Sequence, residues 1–388
     1  MYMLRVLSAG ESHGYCLTAI IAGMPAGLSL QPADINRDLA RRQIGYGRGK
    51  RMEIEQDEAE ITSGVRFGRT LGSPISIKIK NRDWINWQDR MSVEQIEDFA
   101  ITPITNPRPG HADLAGALKY DHHDIRNVLE RASARETTAR VAIGSVCRKL
   151  LNELGIRVLS YVLEINGIKA KTEGQTATAL YRKAEASVLR CPCQQAEQKM
   201  IKIIDRARAG GNSLGGVFEV VAEGVPPGLG SYSQWDQRLD GSLAQALMSI
   251  QAIKGVEVGS GFAAARVPGS QVHDELYFAK NKGFYRKTNN AGGIEGGISN
   301  GGNIVLRAAM KPIATLYKPL RSVDIISKKA LKATVERSDI CRVPSAAVIG
   351  EAMVCFEIAR ALLEKFGGDS IRETKRNYTS YLKQIREF

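Results

Sequence analysis

The stretch TTARVAIGSVCRKLLNEL, Thr137 to Leu154, is the place to begin. Its residues Ile143, Cys147, Leu150, Leu151 and Leu154 recur at helical intervals and predict a helix with one inward stripe. Toward the N-terminus, Ile54 to Val65 and Ser73 to Lys80 alternate apolar and polar residues and predict strands. Before them, Pro32-Ala33-Asp34 opens a helix that runs to about Gln43. Toward the C-terminus, Gly216 to Glu223, Gly255 to Ala265 and Asn303 to Met310 predict strands. A long helix follows from Pro344 to Phe366, with Val348, Ala352, Cys355, Ala359 and Leu362 inward and Gly367-Gly368 as its stop. Strands and helices come in runs rather than in regular alternation. The expected class is therefore α+β with antiparallel sheet, not a doubly wound parallel fold. No Pro/Gly/Ser-rich joint divides the chain, so residues 1–388 are expected to form a single domain.

Composition narrows the function. The chain has 388 residues, is 43% hydrophobic and carries a formal charge of +13, which suits a globular protein with an anionic partner. Aromatics are only 6%, and no zinc finger or RNA-binding signature is present, which argues against nucleic acid and for small anions. Six cysteines show no framework spacing. Cys191-Pro192-Cys193 lacks a second pair, so no metal site is expected and reduced thiols in the cytoplasm are. The uncharged run Tyr15 to Leu30 contains Gly23, Pro25 and Gly27 and follows Glu11 and His13, unlike a signal segment. No apolar run approaches the roughly 20 residues of a membrane span.

Two of the five histidines stand in short glycine-containing segments: His13 in Gly10-Glu11-Ser12-His13-Gly14, and His111 in Arg108-Pro109-Gly110-His111-Ala112-Asp113. Imidazole exchanges protons near neutral pH without special tuning. His122, His123 and His273 read as structural or solvated. Arg37, Arg41, Arg42, Arg48, Lys50 and Arg51 crowd the turn Gly45 to Lys50, whose spacing is not that of a Walker A motif. A solvated basic face is the plainer reading. Arg126, Arg131, Arg135 and Arg140 form a second cluster, in which Arg131 and Arg135 at i, i+4 repel unless an anion lies between them; Glu136 and Arg140 could instead form an ordinary surface bridge. The segment Thr288 to Gly302 is dense in glycine, either pressed against a ligand or a surface loop. Gly259-Ser260-Gly261 lacks the third glycine of a dinucleotide fingerprint.

Taken together these segments resemble one family, chorismate synthase. The matching stretches are Gly10 to Gly14, Gly45 to Arg51, Arg108 to Asp113, Arg126 to Thr137, Gly224 to Gly230, Thr288 to Gly301 and Arg337 to Glu351, in order along nearly the whole chain. The resemblance implies a helical layer between two antiparallel four-stranded sheets, with 367–388 a helical tail, and a homotetramer built as a dimer of dimers. It implies conversion of 5-enolpyruvylshikimate 3-phosphate to chorismate by 1,4-anti elimination of phosphate. Reduced FMN is required without net redox change. Two carboxylates and two phosphates would then share one pocket, which explains a demand for bidentate arginines.

The resemblance also implies roles. Ser12, Arg42, Arg48, Arg51, Arg108 and Arg135 fall to the substrate. His13 protonates the departing phosphate, His111 sits by the flavin ring, and Asp339 moves a proton at its reactive edge. FMN falls to Arg131, Ala132, Ser133, Gln251, Ala252, Gly296, Lys311, Pro312, Ile313, Ala314, Thr315 and Arg337. Arg42 and Arg48 also match positions that serve NADP in members that reduce their own flavin with NADPH. Three positions depart from the family's habit: Ser338 stands for histidine, Gln251 for proline and Asn212 for aspartate. The rival readings are a basic RNA-binding protein and a flavin or nicotinamide oxidoreductase on a phosphorylated substrate.

Overall fold

A computed structural model describes residues 4–47, 56–96, 102–336 and 339–388. The elements that frame the site are β1 (Arg5–Ala9), β2 (Cys16–Ala22), α1 (Pro32–Gln43), β3 (Ala59–Ser63), β4 (Ile75–Lys80), α2 (Asp113–Tyr120), α3 (Arg126–Ala132), α4 (Thr137–Glu153), β5 (Arg157–Ile165) and β6 (Ile168–Lys169). They continue with β7 (Gly216–Glu223), α5 (Leu239–Met248), β8 (Ile253–Val258), β9 (Ile304–Met310), α6 (Val343–Phe366) and α7 (Ile371–Glu387). The protein is mixed α and β, and its sheets are antiparallel.

The first sheet runs β1-β2-β4-β3. In β4, Ile75, Ile77 and Ile79 are buried while Lys80 is exposed, the period-two pattern of a strand with one inward face. Their partners Ile21, Ala19 and Leu17 on β2 are buried on the same face. The second sheet runs β8-β9-β7-β5-β6. It has five strands where four were expected; the extra one, β6, is two residues long and pairs only with the end of β5. Small two-stranded hairpins, among them Leu276–Ala279 with Gly283–Arg286 and Ile294–Glu295 with Ile298–Ser299, extend from this frame.

Helix α4 packs on β2 of the first sheet, and α6 packs on β5 and β7 of the second. The two helices cross at Gly144, where any Cβ would collide with the backbone and side chain of Ala352. The expected single stripe on α4 was therefore too narrow. Val141, Ala142 and Val146 are buried beside Ile143, Cys147, Leu150 and Leu151, because α1 and α6 cover the sides a surface helix would leave wet. α6 ends where expected, with Gly367 at φ +59°. α7 then begins with the Ser370 hydroxyl accepting from the Glu373 N–H at 3.3 Å, and it returns to the core by packing the Tyr378 ring against Phe366.

Two predicted strands needed revision. The segment Gly255 to Ala265 is a strand only as far as Val258. Gly259 turns at φ +58°, close against the backbone of Asn290 and Gly292, and Gly261–Arg266 is a 3-10 helix. The strand predicted over Ile54 to Val65 is Ala59–Ser63 among the described residues, and residues 54 and 55 lie outside them.

Charged groups also hold the layers together. Glu351 on α6 is fully buried; it accepts from Arg41 at 2.9 and 3.0 Å, from the Ser160 hydroxyl at 2.6 Å and from Arg148. Asp38 on α1 accepts from Arg41 at 3.0 Å and from Arg148 at 2.9 Å. Burial alone would raise the Glu351 carboxyl, but Arg148 and Arg41 hold it far below the ordinary carboxylate range. Arg41, one of the crowded arginines, is thus committed to joining α1 to α6 rather than to solvent or a ligand.

Candidate active site

A cleft of about 1020 Å³ opens among the loop bearing His13, the loop bearing His111, the start of α4, the Gln251 turn and the Lys311–Thr315 segment. Its volume lies at the upper end of small-molecule sites, which run to about 1,000 Å³.

His13 enters on a tight turn whose backbone is tied to α3: the Ser12 N–H donates to the Glu130 carbonyl at 3.0 Å and the His13 N–H to Glu130 Oε2 at 2.8 Å. The His13 Nδ1 lies 2.8 Å from Glu130 Oε1. Its ring stacks on Trp87 at 4.0 Å, and the Arg126 guanidinium sits over Trp87 at 4.8 Å while bonding Glu130 at 2.9 Å. Burial would raise the Glu130 carboxyl, but its bonds and attraction to His13, together with Arg126, hold it below the ordinary value. The same turn is propped from below, where Asn81 donates to the carbonyls of Gly14 and Glu11 and accepts from Arg135 at 2.8 Å.

His111 lines the same cleft with a parallel arrangement. Its Nδ1 meets Asp113 Oδ1 at 2.6 Å, and Asp113 also accepts from Arg108 through Nε at 2.8 Å, Nη2 at 3.0 Å and the backbone N–H at 3.0 Å. Arg108 donates further to Thr315 Oγ1 at 3.0 Å. Burial opposes ionisation of Asp113, yet the His111 and Arg108 bonds pull its carboxyl well below the usual range.

Ser12, His13, Arg42, Arg108, His111, Ala132, Ser133, Gln251, Ala252, Lys311, Ile313, Ala314, Thr315 and Asp339 all line this one cleft. Asp339 lies 2.6 Å from Arg342, another lining residue. Lys311 Nζ reaches the Gly110 carbonyl at 2.6 Å. Arg42 lines the wall while donating to Thr137 Oγ1 at 2.9 Å and the Ala134 carbonyl at 3.0 Å. Ala252 holds a left-handed φ of +67°, a conformation that a residue with a side chain adopts at some cost.

Other expected residues stand elsewhere. Arg135 lies behind the wall, bonding Asp57 at 2.5 Å and Asn81. Arg131 ties α3 to the end of β1 through the Ser8 carbonyl at 2.9 Å and the Gly10 carbonyl at 3.0 Å. Pro312 does not line the cleft, and Gly296 sits at an exposed hairpin turn away from it. The glycine-rich segment around Gly296 is organised by Asp274, which accepts from Thr288, Asn290 and Ala291. Arg48, Arg51 and Arg337 lie outside the described residues. The Glu136–Arg140 bridge is present at 2.9 Å, and Glu136 also accepts from Gln251 at 2.6 Å.

Glu130, Trp87 and Arg342 were not picked out as site residues from the sequence, although all three line the cleft. Glu130 had a readable signal in its spacing, since Arg126 and Glu130 form an i, i+4 pair within a segment already singled out. Trp87 had none. Among the described residues no group of three His, Cys, Asp or Glu side chains is arranged to hold a metal ion, and all six cysteines are free thiols.

Comparison with known proteins agrees across the chain's length. The profile of the chorismate synthase family matches residues 4–363. The chorismate synthase of Geobacter sulfurreducens is 58% identical over 393 residues, covering 100% of both chains. That of Desulforamulus reducens is 58% identical over 386 residues, covering 99% of this chain and 100% of the relative. A crystal structure of a chorismate synthase superimposes with a TM-score of 0.81 at 46% identity, covering 100% of this chain and 99% of the other.

Proposed function

The chain belongs to the chorismate synthase family, and from that premise we propose how its cleft eliminates phosphate from 5-enolpyruvylshikimate 3-phosphate to give chorismate. The activity is that of a carbon–oxygen lyase, at the last common step of the shikimate pathway to aromatic amino acids. The observation that carries the assignment of roles is the pair of imidazoles in one cleft, each tied through Nδ1 to a buried carboxylate.

The substrate's charges are met by Arg42 and Arg108, both held rigid by bonds to neighbouring oxygens, with Arg48 and Arg51 as further expected contacts. Ser12 contributes at the turn beside His13. His13 gives its proton to the departing phosphate, a general acid worth about 10²–10⁴ in rate. Arg135 serves the substrate at one remove, by bracing Asn81 under the His13 turn.

The residues present fit a flavin. Met248, Ile250 and Ile313 offer an apolar wall, Ala132, Ala252 and Ala314 leave room, and Lys311 supplies a cation. Gln251 Oε1 is buried with no partner among the described residues, an acceptor suited to a ligand N–H. Reduced FMN, when bound there, supplies transient electron density to the allylic system as phosphate leaves. Ser133 and Thr315 line the same cleft and join the cofactor set, with Arg337 as a further expected contact, whereas Arg131, Pro312 and Gly296 stand outside the cleft and form no part of that set. His111 holds a proton beside the ring, and Asp339, braced by Arg342, moves one at its edge.

The helices between the two sheets are read as the family's sandwich, and residues 1–388 as one catalytic domain with 367–388 as a tail. The assembly is a homotetramer of the dimer-of-dimers kind, to be checked by sedimentation; exposed rings such as Phe278 and Phe284 are consistent with burial between subunits. Free thiols suit a cytoplasmic setting, and no described helix is long and apolar enough to cross a membrane. NADPH serves as reductant where the enzyme reduces its own flavin, through Arg42 and Arg48.

An anaerobic assay with reduced FMN tests the function. One phosphate should appear per chorismate, with the flavin left reduced. Net consumption of reductant per turnover would instead favour the oxidoreductase. Salt-sensitive RNA binding without flavin binding would favour the third reading.

A further inference from the structure

His13, Trp87, Arg126 and Glu130 form a closed ring of contacts, and only His13 among the four takes a direct part in the proposed elimination. The imidazole of His13 stacks on Trp87, Arg126 lies over Trp87, Arg126 bonds Glu130, and Glu130 returns to His13 Nδ1. Glu130 is buried, 3% exposed, and is surrounded by donors. Its Oε1 faces Arg126 Nη1 at 2.9 Å and His13 Nδ1 at 2.8 Å; its Oε2 faces the His13 backbone N–H at 2.8 Å and Nδ1 at 3.0 Å. A carboxylate in that position accepts only.

We propose that Glu130 is a positioning residue for the elimination: it keeps a proton on His13 Nδ1, so that Nε2 alone delivers the proton to the leaving phosphate. The proposal rests on the reading of His13 as the acid. The proton balance is simple. The imidazolium carries a proton on each nitrogen. As the carbon–oxygen bond breaks, the Nε2 proton passes to a phosphate oxygen, and the Nδ1 proton stays in its bond to Glu130. The neutral ring is left with its proton on Nδ1, the tautomer that a free imidazole disfavours. Trp87 and Arg126 fix the plane and the carboxylate in which this occurs. A buried carboxylate that selects an imidazole tautomer is a known source of large rate effects, and exchanging it for the amide can cost about 10⁴ in turnover.

The isosteric change Glu130→Gln isolates the effect. An amide has one oxygen and one NH₂, and it cannot accept from Arg126, the His13 N–H and Nδ1–H together. With its oxygen turned to Arg126, its NH₂ opposes the His13 backbone N–H; with its oxygen turned to that N–H, its NH₂ opposes Arg126. Either way Nδ1–H loses its charged acceptor, and the bias toward that tautomer weakens. Nitrogen NMR of labelled histidine reads this directly, because the chain has only five histidines and His13→Ala identifies the signal. Neutral His13 in the unaltered protein should carry its proton on Nδ1. In Glu130→Gln it should shift toward Nε2–H. Turnover should fall by about 100-fold or more, with the apparent KM for the phosphorylated substrate changed by less than about threefold.

A double-mutant cycle separates positioning from general support. In the His13→Ala background, Glu130→Gln should cost nothing further in turnover. A similar additional loss there would overturn the proposal, because Glu130 would then act on something other than the imidazole. An Nε2–H ring in the unaltered protein would overturn it without any variant at all, including the case in which Glu130→Gln fails to fold. Near-normal turnover of His13→Ala would instead remove the premise that His13 is the acid, while the NMR would still report what Glu130 does to the ring.

Discussion

His111 and Asp113, two residues apart in the chain, meet at 2.6 Å between Nδ1 and Oδ1, and the same carboxylate holds Arg108 from three donors. One buried acid thus orients both an expected proton carrier and an expected substrate arginine. The spacing works because α2 begins at Asp113, so its carboxylate lies at a helix start and turns back over the loop before it.

Asp113→Asn should therefore disturb two functions together. Stability should fall by about 2 kcal/mol near pH 7, less than the roughly 3–5 kcal/mol for breaking a fully buried pair, because His111 is partly open to the cleft. The Asp113 carboxyl is depressed in the folded protein, so its contribution is present above the unfolded value of about 3.9 and fades as pH falls below it. Denaturant unfolding should show the two proteins converging in acid; a gap that stays constant with pH would contradict the ionised role.

His13→Ala should lose about two to four decades in turnover while still binding oxidised FMN. Stopped-time phosphate assays and flavin titration measure the two separately. Turnover near normal would remove His13 from the proposed acid role.

Glu351→Gln should cost about 3–5 kcal/mol, since it leaves Arg41 and Arg148 sharing a neutral partner in a dry layer. The cleft is formed by other residues, so the folded fraction should turn over normally. Urea midpoints and activity per folded molecule check both halves, and a stable variant would mean the network is replaceable.

Glu357 behaves in the opposite sense. Burial pushes its carboxyl up to about 7, with Arg360 offsetting only part of this. A raised folded value means the folded state binds the extra proton, so stability declines as pH rises from about 4.3 toward 7 and is level above that. Glu357→Gln should be more stable than the unaltered protein at pH 8 and nearly equal to it at pH 4. Paired melting curves at those two values would show it, and an equal shift at both would refute it.

Much of the fold was legible because it rests on local periodicity. Ile75, Ile77 and Ile79 alternate as a strand must, and Gly367 stops α6 where a left-handed residue was needed. The errors arose where contacts from elsewhere took over. Gly259 ended a predicted strand early because the chain there lies against Asn290 and Gly292. The stripe on α4 missed Val141 and Val146 because two further helices cover it.

The site divides in the same way. The loops of His13 and His111, the arginines near them and the resemblance to a family could all be read along the chain. Which arginine faces a ligand could not. Arg41 and Arg42 are neighbours, yet one is locked to Glu351 and the other lines the cleft, and nothing in their order distinguishes them. Glu130 lies 117 positions from His13, and only folding brings the two to 2.8 Å. Sequence sets residue types, their periods and their turns, because those depend on neighbours along the backbone. The choice of partner for each charge depends on desolvation and distance, and those quantities exist only after the layers have packed.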